Sequence, residues 1–408
     1  MQKRFTVLVL CLLVGLLVNS VASAKTVVTV WAWSDVVGEF IARKAEEFNQ
    51  MQDEIEIIVE QHPFDGYFDK LQMAQVSGVA PEILRGGFEG LISPYPDDFY
   101  APSLVEHMKS QQLPFFEDFI AEDGKVYAYP FSLWTTPLWY NRVLFAEAGL
   151  GDQDVPKTWD ELIQVAKKLT KVGADNQVVQ YGFVTEPTDF LQVWLPQAAP
   201  DYYHTGDRQA TLVGTGAVDA YRFFLDLIEN QLIPWPVTEW CGTKFLNQTA
   251  AMIMVGSWFY GTAQQATFDW AIAPQPRPTL DAPYGATCIA SDWRFGYGID
   301  EGLKQAGAEF LRYVYSEPNS VECALSTGLL PVRLEYYQAP ELAENHFFQV
   351  CAQILPHSTY KLDGTVWDTV WNALSGATNT ALWELMHPTQ AVTLMEKQVN
   401  TALTDYYR

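Results

Sequence analysis

The N-terminal part of the chain alternates between strand-like and helix-like patterns. Thr26–Trp33 is an almost continuous apolar run rich in strand formers, which is typical of a strand buried on both faces. Ile55–Val59 has the same character. After each run, apolar residues recur at the spacing of one helix face: Val37, Phe40, Ile41, Ala45 and Phe48, then Tyr67, Leu71 and Ala74. This alternation predicts an α/β fold with a parallel sheet covered on both faces.

The start of a helix can be recognised in the middle of the chain. Thr158 stands three residues before Glu161, and Pro156 restricts the backbone just upstream. This spacing predicts a capping box, in which the hydroxyl and the carboxylate accept hydrogen bonds from free amides at a helix start. Leu162 and Leu169 lie in an apolar series at helical spacing. We therefore expect a helix directly after Thr158.

The first 24 residues have the layout of a secretory signal peptide. Lys3 and Arg4 form a basic start, Phe5–Val18 is apolar, and residues 22–24 are a small-residue cleavage site. The apolar run is too short to span a bilayer comfortably, and the chain has no other stretch of 18 apolar residues. Cys11 follows a leucine, where a lipoprotein signal would have a small residue. We expect a soluble mature protein, periplasmic or secreted.

Charge and cysteine content narrow the range of partners. The net charge is −24, which opposes binding to nucleic acid or to an anionic membrane. Four cysteines follow the predicted signal peptide, and an even number in an exported protein permits two disulfides. Proximity in sequence favours the pairs Cys241–Cys288 and Cys323–Cys351 among the three pairings that four cysteines allow. Four buried thiols are the alternative.

Three blocks in the middle of the chain carry a resemblance to a known family. Gly124–Pro130, Leu138–Leu150 and Val155–Leu162 resemble, in order and spacing, the central segment of extracellular solute-binding proteins of ABC importers. The sugar-binding family that includes maltose-binding protein is the most similar by these motifs. The resemblance extends over nearly all of the mature chain, through Val28–Trp33, Leu71–Ile83, Ala250–Trp258 and Thr327–Arg333. It is weakest between Arg85 and Phe119.

The resemblance implies a two-lobed periplasmic-binding-protein fold of type II, with discontinuous lobes joined by a hinge. We expect residues 25–134 and 289–330 to form lobe I, and residues 135–288 and 331–408 to form lobe II. The implied function is capture of a carbohydrate by lobe closure and its delivery to the membrane permease subunits of an ABC importer. The implied protein acts as a monomer.

The implied ligand site lies in the cleft, where strand ends carry aromatic and charged residues. Open α/β sheets bind ligands beyond the carboxyl ends of their strands. Aromatic rings stack on the apolar faces of a pyranose, and carboxylates or guanidinium groups bind its hydroxyls. The candidates are Trp33, Asp35, Phe64, Asp65, Glu89, Trp134, Trp258, Asp292, Trp293 and Arg333. The alternative is that the aromatics are core residues and that an aspartate such as Asp35 caps a helix.

No motif in the sequence identifies an enzyme. The six histidines do not pair at metal-ligand spacing, and no Cys-x-x-Cys is present. Gly256-Ser257-Trp258 is not the nucleophile elbow of a hydrolase. We expect no catalytic residue, no metal and no cofactor. Because carboxylates are abundant, a secreted glycosidase is the enzymatic alternative. The same fold could instead bind a non-sugar solute (polyol, polyamine or peptide) or act as a sensory receptor.

Overall fold

A computed structural model describes residues 25–86, 92–100, 104–110, 119–121, 123–203, 208–360 and 365–408. The predicted signal peptide lies outside these residues. The strands are β1 (Thr26–Trp33), β2 (Ile55–His62), β3 (Ile83–Arg85), β4 (Ile92–Ser93), β5 (Tyr129–Trp134), β6 (Leu138–Asn141), β7 (Lys171–Val172), β8 (Val178–Gln180), β9 (Met252–Met254), β10 (Trp270–Ala273), β11 (Tyr284–Gly296), β12 (Leu330–Pro331) and β13 (Ser358–Tyr360).

Helices connect these strands and cover the sheets. They are α1 (Val36–Met51), α2 (Tyr67–Val76), α3 (Leu104–Ser110), α4 (Arg142–Glu147), α5 (Trp159–Leu169), α6 (Pro187–Asp189), α7 (Leu195–Ala198), α8 (Ala217–Glu229), α9 (Cys241–Leu246), α10 (Tyr260–Ala263), α11 (Glu301–Val314), α12 (Glu317–Thr327), α13 (Pro340–Ala343), α14 (His346–Ile354), α15 (Thr365–Trp383) and α16 (Pro388–Tyr406). A π-helical turn, Phe190–Trp194, joins α6 to α7. Short 3₁₀ turns occupy Asp152–Asp154, Ser257–Phe259, Leu334–Gln338 and Leu355–His357.

The larger sheet is mixed rather than parallel. It has eight strands in the order β12-β5-β11-β3-β1-β2, with β4 and β13 also paired to β11. β1 runs parallel to β2 and to β3, as the sequence predicts. The long strand β11 runs antiparallel to β3 and to β5, so the predicted parallel pairing is confirmed for β1, β2 and β3 and does not extend to the whole sheet. The reason is that β11 enters this sheet from another part of the fold instead of through a local strand–helix–strand unit.

Strand β1 is buried on both faces, as its apolar run predicts. Val28 and Val30 pack into a core that includes Phe40 of α1. Trp31 points to the other face and packs with Tyr67 and other residues of a second, smaller cluster. Successive side chains of a strand alternate between faces, and burial is complete from Val30 to Ala32. Val27, near the start of the strand, is 42% exposed, and Trp33, at its carboxyl end, is half-buried.

A second sheet is joined to the first by a very short connection. It has three strands in the order β10-β6-β9, and both pairings are antiparallel. Its side chains Leu138 and Tyr140 belong to a core that also contains Trp194 and Leu403. Only residues 135–137 separate β5 of the first sheet from β6 of the second. Other side chains of the smaller sheet, Trp139 and Ile253, belong to the core of the larger sheet, so the two sheets are separate hydrogen-bonded units that share part of their apolar packing.

The helix predicted after Thr158 is confirmed, together with its capping box. The Glu161 amide donates to Thr158 Oγ1 at 3.3 Å, and the Thr158 amide donates to a Glu161 carboxylate oxygen at 3.2 Å. Helix α5 begins at the next residue, Trp159. Its buried side includes Leu162 and Leu169, so the apolar period faces the core.

The predicted disulfides are wrong. Cys241, Cys323 and Cys351 are free and buried, which excludes both Cys241–Cys288 and Cys323–Cys351. Two of these thiols have other polar neighbours. Cys241 Sγ lies 3.6 Å from the Met254 carbonyl oxygen, and Cys323 Sγ lies 3.9 Å from the Thr327 hydroxyl. The side chain of Cys288 is outside the described set.

Within the described ranges, no helix combines the length and apolar character needed to cross a bilayer.

Candidate functional site

An aromatic cluster surrounds Trp33 at the carboxyl end of β1. The Phe64 ring meets the Trp33 ring edge-on at 4.9 Å between centroids, and Phe68 of α2 lies 6.4 Å away. Phe64 is 59% exposed, in the loop between β2 and α2. The Trp33 indole Nε1 is buried and lacks a hydrogen-bond partner among the described residues. The cluster therefore presents open aromatic surface and an indole donor that no described residue satisfies.

Arg85, at the end of β3, is packed into the same cluster. Its guanidinium carbon lies 3.9 Å from the centroid of the Trp33 ring, which is a cation–π contact. Its Nη1 donates to both carboxylate oxygens of Asp35 at 2.8 Å. Asp35 also accepts the Val37 and Gly38 amides at the start of α1, so it caps this helix as well. Trp33, Asp35, Phe64, Phe68 and Arg85 are called the Trp33 group below.

Asp292 of β11 holds the backbone at Gly86, directly after Arg85 of the Trp33 group. It is 4% exposed. One carboxylate oxygen accepts the Gly86 amide at 3.0 Å, and the other accepts Arg294 Nη2 at 2.6 Å. Gly86 has φ +70°, and an added Cβ would lie 3.4 Å from the Phe68 ring. A glycine therefore allows the chain to turn closely around Phe68 directly after Arg85.

Three other predicted residues, Asp65, Trp293 and Arg333, do not join the exposed aromatic surface of the Trp33 group. Trp293 is completely buried, because it follows Asp292 on β11 and so points to the opposite face. Asp65 is exposed in the loop beside Phe64. Arg333 donates to Glu335 at 2.7 Å and to the Tyr336 hydroxyl at 3.1 Å. Glu89 lies outside the described residues.

Arg333 belongs instead to a cluster of tyrosines around His107. The Tyr100 and His107 rings are stacked at 4.4 Å, and the Arg333 guanidinium lies 5.7 Å from the Tyr100 ring centroid. His107 Nε2 and the Tyr129 hydroxyl are 2.9 Å apart. Burial, with Arg333 nearby, lowers the pKa of His107 to about 4. This histidine is therefore neutral at ordinary pH and serves packing.

A second aromatic surface lies on the side of the smaller sheet. Trp258, in the 3₁₀ turn after β9, stacks with Trp240 at 6.0 Å between centroids and an interplanar angle of 10°. Their exposed fractions are 42% and 39%. Each ring lies against a glycine: an added Cβ would be 2.1 Å from Trp258 Nε1 at Gly256, and 2.5 Å from Trp240 Cη2 at Gly242. Trp240 and Trp258 are called the Trp258 pair below.

Trp134 connects this pair to the crossing between the sheets. It is the last residue of β5 and is half-buried. The carbonyl oxygen of the next residue, Thr135, accepts the Ser257 amide at 2.7 Å. The hydroxyls of Thr135 and Ser257 are buried and lack partners among the described residues. Trp134 and Trp258 are thus each one residue away from the same hydrogen bond at the crossing.

Three residues of these surfaces, Phe68, Arg85 and Trp240, escape the sequence prediction. Arg85 gives only a weak signal, a cation at the end of the short strand Ile83–Arg85 where a parallel strand finishes. The signal at Trp240 is also weak: this tryptophan stands two positions before Gly242, and its ring needs the space that the glycine leaves.

Within the described part of the chain, no group of three His, Cys, Asp or Glu side chains could hold a metal ion.

Comparison with known proteins decides the family. Residues 44–349 match the family described as bacterial extracellular solute-binding protein. This chain belongs to that family. The solute-binding protein is 24% identical over 359 residues to the maltotriose-binding protein of Pyrococcus abyssi, covering 84% of this chain and 74% of the relative. It is 23% identical over 383 residues to the sn-glycerol-3-phosphate-binding periplasmic protein of Brucella abortus, covering 85% and 83%.

Solved structures show the same fold. The sugar-binding protein MalE of Xanthomonas citri superposes with a TM-score of 0.78 at 20% identity, over 94% of this chain and 98% of that one. The solute-binding protein therefore has the two-lobed fold of type II periplasmic binding proteins, as the resemblance implies. Membership of an extracellular family places it outside the cytoplasm. Its relatives are binding proteins rather than enzymes.

Proposed function

We propose that the solute-binding protein captures a carbohydrate between its lobes and delivers it to the permease subunits of an ABC importer. One observation carries the proposal. Exposed aromatic surfaces occur on both bodies of the fold, the Trp33 group on the larger sheet and the Trp258 pair beside the smaller one. The relatives named for maltotriose and for sugar binding support the same ligand class.

The chemistry of the two surfaces suits a sugar ring. A pyranose has apolar C–H faces and a polar rim, so it needs flat aromatic surface and directed hydrogen-bond groups. The Trp33 group supplies both, because the partly exposed Asp35 carboxylate and the exposed Phe64 ring belong to the same cluster. Bound ligand would exclude water from these groups and so strengthen their hydrogen bonds.

Binding without chemical conversion is part of the proposal. A glycosidase needs two carboxyl groups free to act as acid and nucleophile or base. Here Asp35 already accepts from Arg85 and from two amides of α1. Asp292 is buried and accepts from Gly86 and Arg294. Both carboxylates are used to hold the site in shape.

The short connection between the two sheets supports lobe closure. The proposed division assigns residues 25–134 and 289–330 to one lobe, and residues 135–288 and 331–408 to the other. Residues 135–137 are a hinge segment, and a ligand that touches both lobes favours the closed form by the free energy of the second set of contacts. A signal peptide over residues 1–24 would bring the protein to the compartment where the solute is met.

Calorimetric titration of the mature protein against maltotriose, other glycans, polyols, polyamines and glycerol 3-phosphate tests the ligand class. We expect saturable binding of a glycan together with a smaller radius of gyration in small-angle scattering. Trp33→Ala should weaken it, while Trp383→Ala, which alters a 66% exposed tryptophan on α15, should not. Binding of only glycerol 3-phosphate or a polyamine would overturn the carbohydrate assignment, and an unchanged radius at saturation would overturn closure.

A further inference from the structure

Two cavities lie beside the loop that follows β10, and they share Arg277, Leu280 and Tyr284 as lining residues. The smaller cavity measures about 230 Å³ and the wider one about 760 Å³. Small-molecule sites usually measure about 300–1,000 Å³, so the wider cavity is of this size and the smaller one adds space at its side. Among the described lining residues, none belongs to the Trp33 group or to the Trp258 pair.

The smaller cavity contains a buried amide donor without a partner. Gln275 lines this cavity and is 1% exposed. Its Oε1 accepts the Gly285 amide at 2.6 Å and Gln197 Nε2 at 3.1 Å, which fixes the side chain. Its Nε2 lacks a hydrogen-bond partner among the described residues. Because a buried donor without a partner is unfavourable, an acceptor on a bound molecule would stabilise this arrangement.

Two cations line the same cavity without forming an ion pair. Lys157 and Arg277 have no carboxylate partner in the part of the chain that the structure describes. The acidic lining residues have other donors. Asp152 accepts two bonds from Arg142, and a hydrogen bond from a threonine, with a smaller contribution from Arg277, lowers the pKa of Asp281. In a chain of net charge −24, two unpaired cations at one cavity favour an anionic ligand.

Arg277 is held in place while one edge of its guanidinium lacks a partner. Nη1 donates to the Ala282 carbonyl oxygen at 2.6 Å, and the guanidinium carbon lies 4.3 Å from the centroid of the Tyr284 ring. The Nε–Nη2 edge has no partner among the described residues. Arg142 uses the same edge to bind both carboxylate oxygens of Asp152, at 2.9 and 2.8 Å. The planar group that fits such an edge is a carboxylate.

The backbone joins the two cations. The Arg277 amide donates to the Lys157 carbonyl oxygen at 3.0 Å, and the Arg277 carbonyl oxygen accepts the Trp159 amide at 3.0 Å. The Lys157 amide donates to a Glu161 carboxylate oxygen at 2.7 Å. These bonds tie the loop after β10 to the start of α5, so the donors are preorganised and a ligand need not order them.

We propose that the two cavities form a second binding site, which takes a small organic carboxylate. Its charged group meets Arg277, Lys157 and Gln275, and its apolar body lies in the wider cavity. The apolar lining of the wider cavity includes Leu280, Pro283, Ala352 and Pro356. This site is additional to the proposed carbohydrate site and does not depend on it.

Calorimetric titration of the mature protein with benzoate, hexanoate and 3-phenylpropionate tests the site, with the neutral amide of each acid as its control. We expect at least one carboxylate to saturate the protein. Its amide should bind at least about tenfold more weakly, because it has no charge and cannot accept the paired bonds of Arg277. If no carboxylate saturates the protein, or if acid and amide bind equally, the inference is overturned.

Variants place the carboxylate at this site. Lys157→Met should weaken it about 5-fold or more, and Arg277→Lys, which keeps the charge but loses the fork, about tenfold. Lys168→Met removes the same charge from an exposed position on α5 outside the lining and should have no effect. Equal effects of the two lysine variants would overturn the inference. Melting curves identify a misfolded protein, and Lys157→Met supplies the measurement if Arg277→Lys does not fold.

One further variant separates this inference from the proposed function. Trp33→Ala alters the proposed carbohydrate site and should leave carboxylate affinity unchanged. Loss of carboxylate binding in Trp33→Ala, with Lys157→Met unaffected, would place the probe at the Trp33 group and overturn the inference. If the carboxylate binds as expected and no glycan binds, the carbohydrate function fails and the second site stands.

Discussion

The two aromatic surfaces are built in opposite ways. In the Trp33 group, a buried cation covers one face of the tryptophan, and the cation is fixed by Asp35. In the Trp258 pair, each ring lies against a glycine, and the two rings stack on each other. A charged network gives directed donors and acceptors but depends on every member. Bare stacking gives adaptable apolar contact. The first surface therefore offers directed polar groups, and the second offers apolar contact.

The largest expected effect breaks the charged network of the Trp33 group. Arg85→Leu removes the partner of Asp35 and the cation over Trp33. Removing one partner of a buried ion pair is strongly destabilising, and we expect a loss of about 2–4 kcal/mol because Asp35 is partly exposed. Solute binding should fall below detection. Denaturant unfolding and titration measure the two effects.

The control for Arg85→Leu is an exposed pair of similar length. Lys171 and Glu147 are 2.8 Å apart with about half of each side chain exposed, at 47% and 52%. Lys171→Met should change stability by no more than about 0.5 kcal/mol, since exposed ion pairs contribute little. Equal stability losses in the two variants would show that the network around Arg85 has no special role.

The next effect concerns the Trp258 pair and should appear in affinity instead of stability. Trp258→Ala removes a stacking face from a ring that is 42% exposed, so we expect roughly 5- to 150-fold weaker binding with the fold intact. Trp139→Ala is the matched core substitution, because Trp139 is fully buried, and it should cost about 3–5 kcal/mol of stability. A collapsed melting temperature with unchanged affinity in Trp258→Ala would remove that residue from the site.

A smaller effect is expected at the glycine beneath Trp240. In Gly242→Ala the new Cβ would lie 2.5 Å from Trp240 Cη2, so the indole must move. We expect about 3- to 10-fold weaker solute binding, while the higher helix propensity of alanine offsets part of the strain. Gly376→Ala, in α15 with nothing within 4 Å of the new Cβ, should raise stability and leave affinity unchanged. Identical behaviour of the two variants would contradict the close fit of Trp240.

The smallest effect is a pH dependence behind the Trp258 pair. Asp189 accepts the Glu186 amide at 2.8 Å, and Glu186 in turn accepts the Cys241 amide beside Trp240. Burial raises the pKa of Asp189 from 3.8 to about 7. The native state therefore keeps a proton that the unfolded chain has lost. The stabilisation is fully present below about pH 4 and disappears as pH rises through 7.

Asp189→Asn tests this sign, because the amide cannot ionise and keeps an acceptor for Glu186. We expect denaturant midpoints of the unmodified protein to fall between pH 4 and pH 7 more steeply than those of the variant. Parallel curves for the two proteins would mean that Asp189 is ionised in the native state.

Local patterns predicted local structure well. The alternation on β1, the period of α1 and the capping box of α5 all depend on residues close in sequence. The direction of β11 does not, because it is set by pairing with β3 and β5 from distant parts of the chain. The disulfide prediction failed for a similar reason, since an even count of cysteines carries no distance between them.

The predicted site positions show the same contrast between local patterns, which the sequence carries, and long-range contacts, which it does not. The positions of Trp33 and Trp258 at the ends of buried strands could be predicted from the sequence, and their role in binding stays a prediction. Asp292 and Trp293 are adjacent on one strand, so strand alternation already prevents both from facing the same side. Arg85 was missed because its role depends on Asp35, fifty positions away in sequence. Long-range polar partners of this kind are visible only once the fold is known.

The unpaired cysteines make this protein suitable for a fluorescent reporter of solute concentration. Burial raises the pKa of the Cys241, Cys323 and Cys351 thiols, so these residues resist alkylation in the folded state. In a Cys288→Ser background, a cysteine introduced at the exposed Asp65 would carry an environment-sensitive dye beside Phe64. A change of emission on solute addition would then report lobe closure as an optical signal. The labelled protein would need no reducing agent to keep its fold intact.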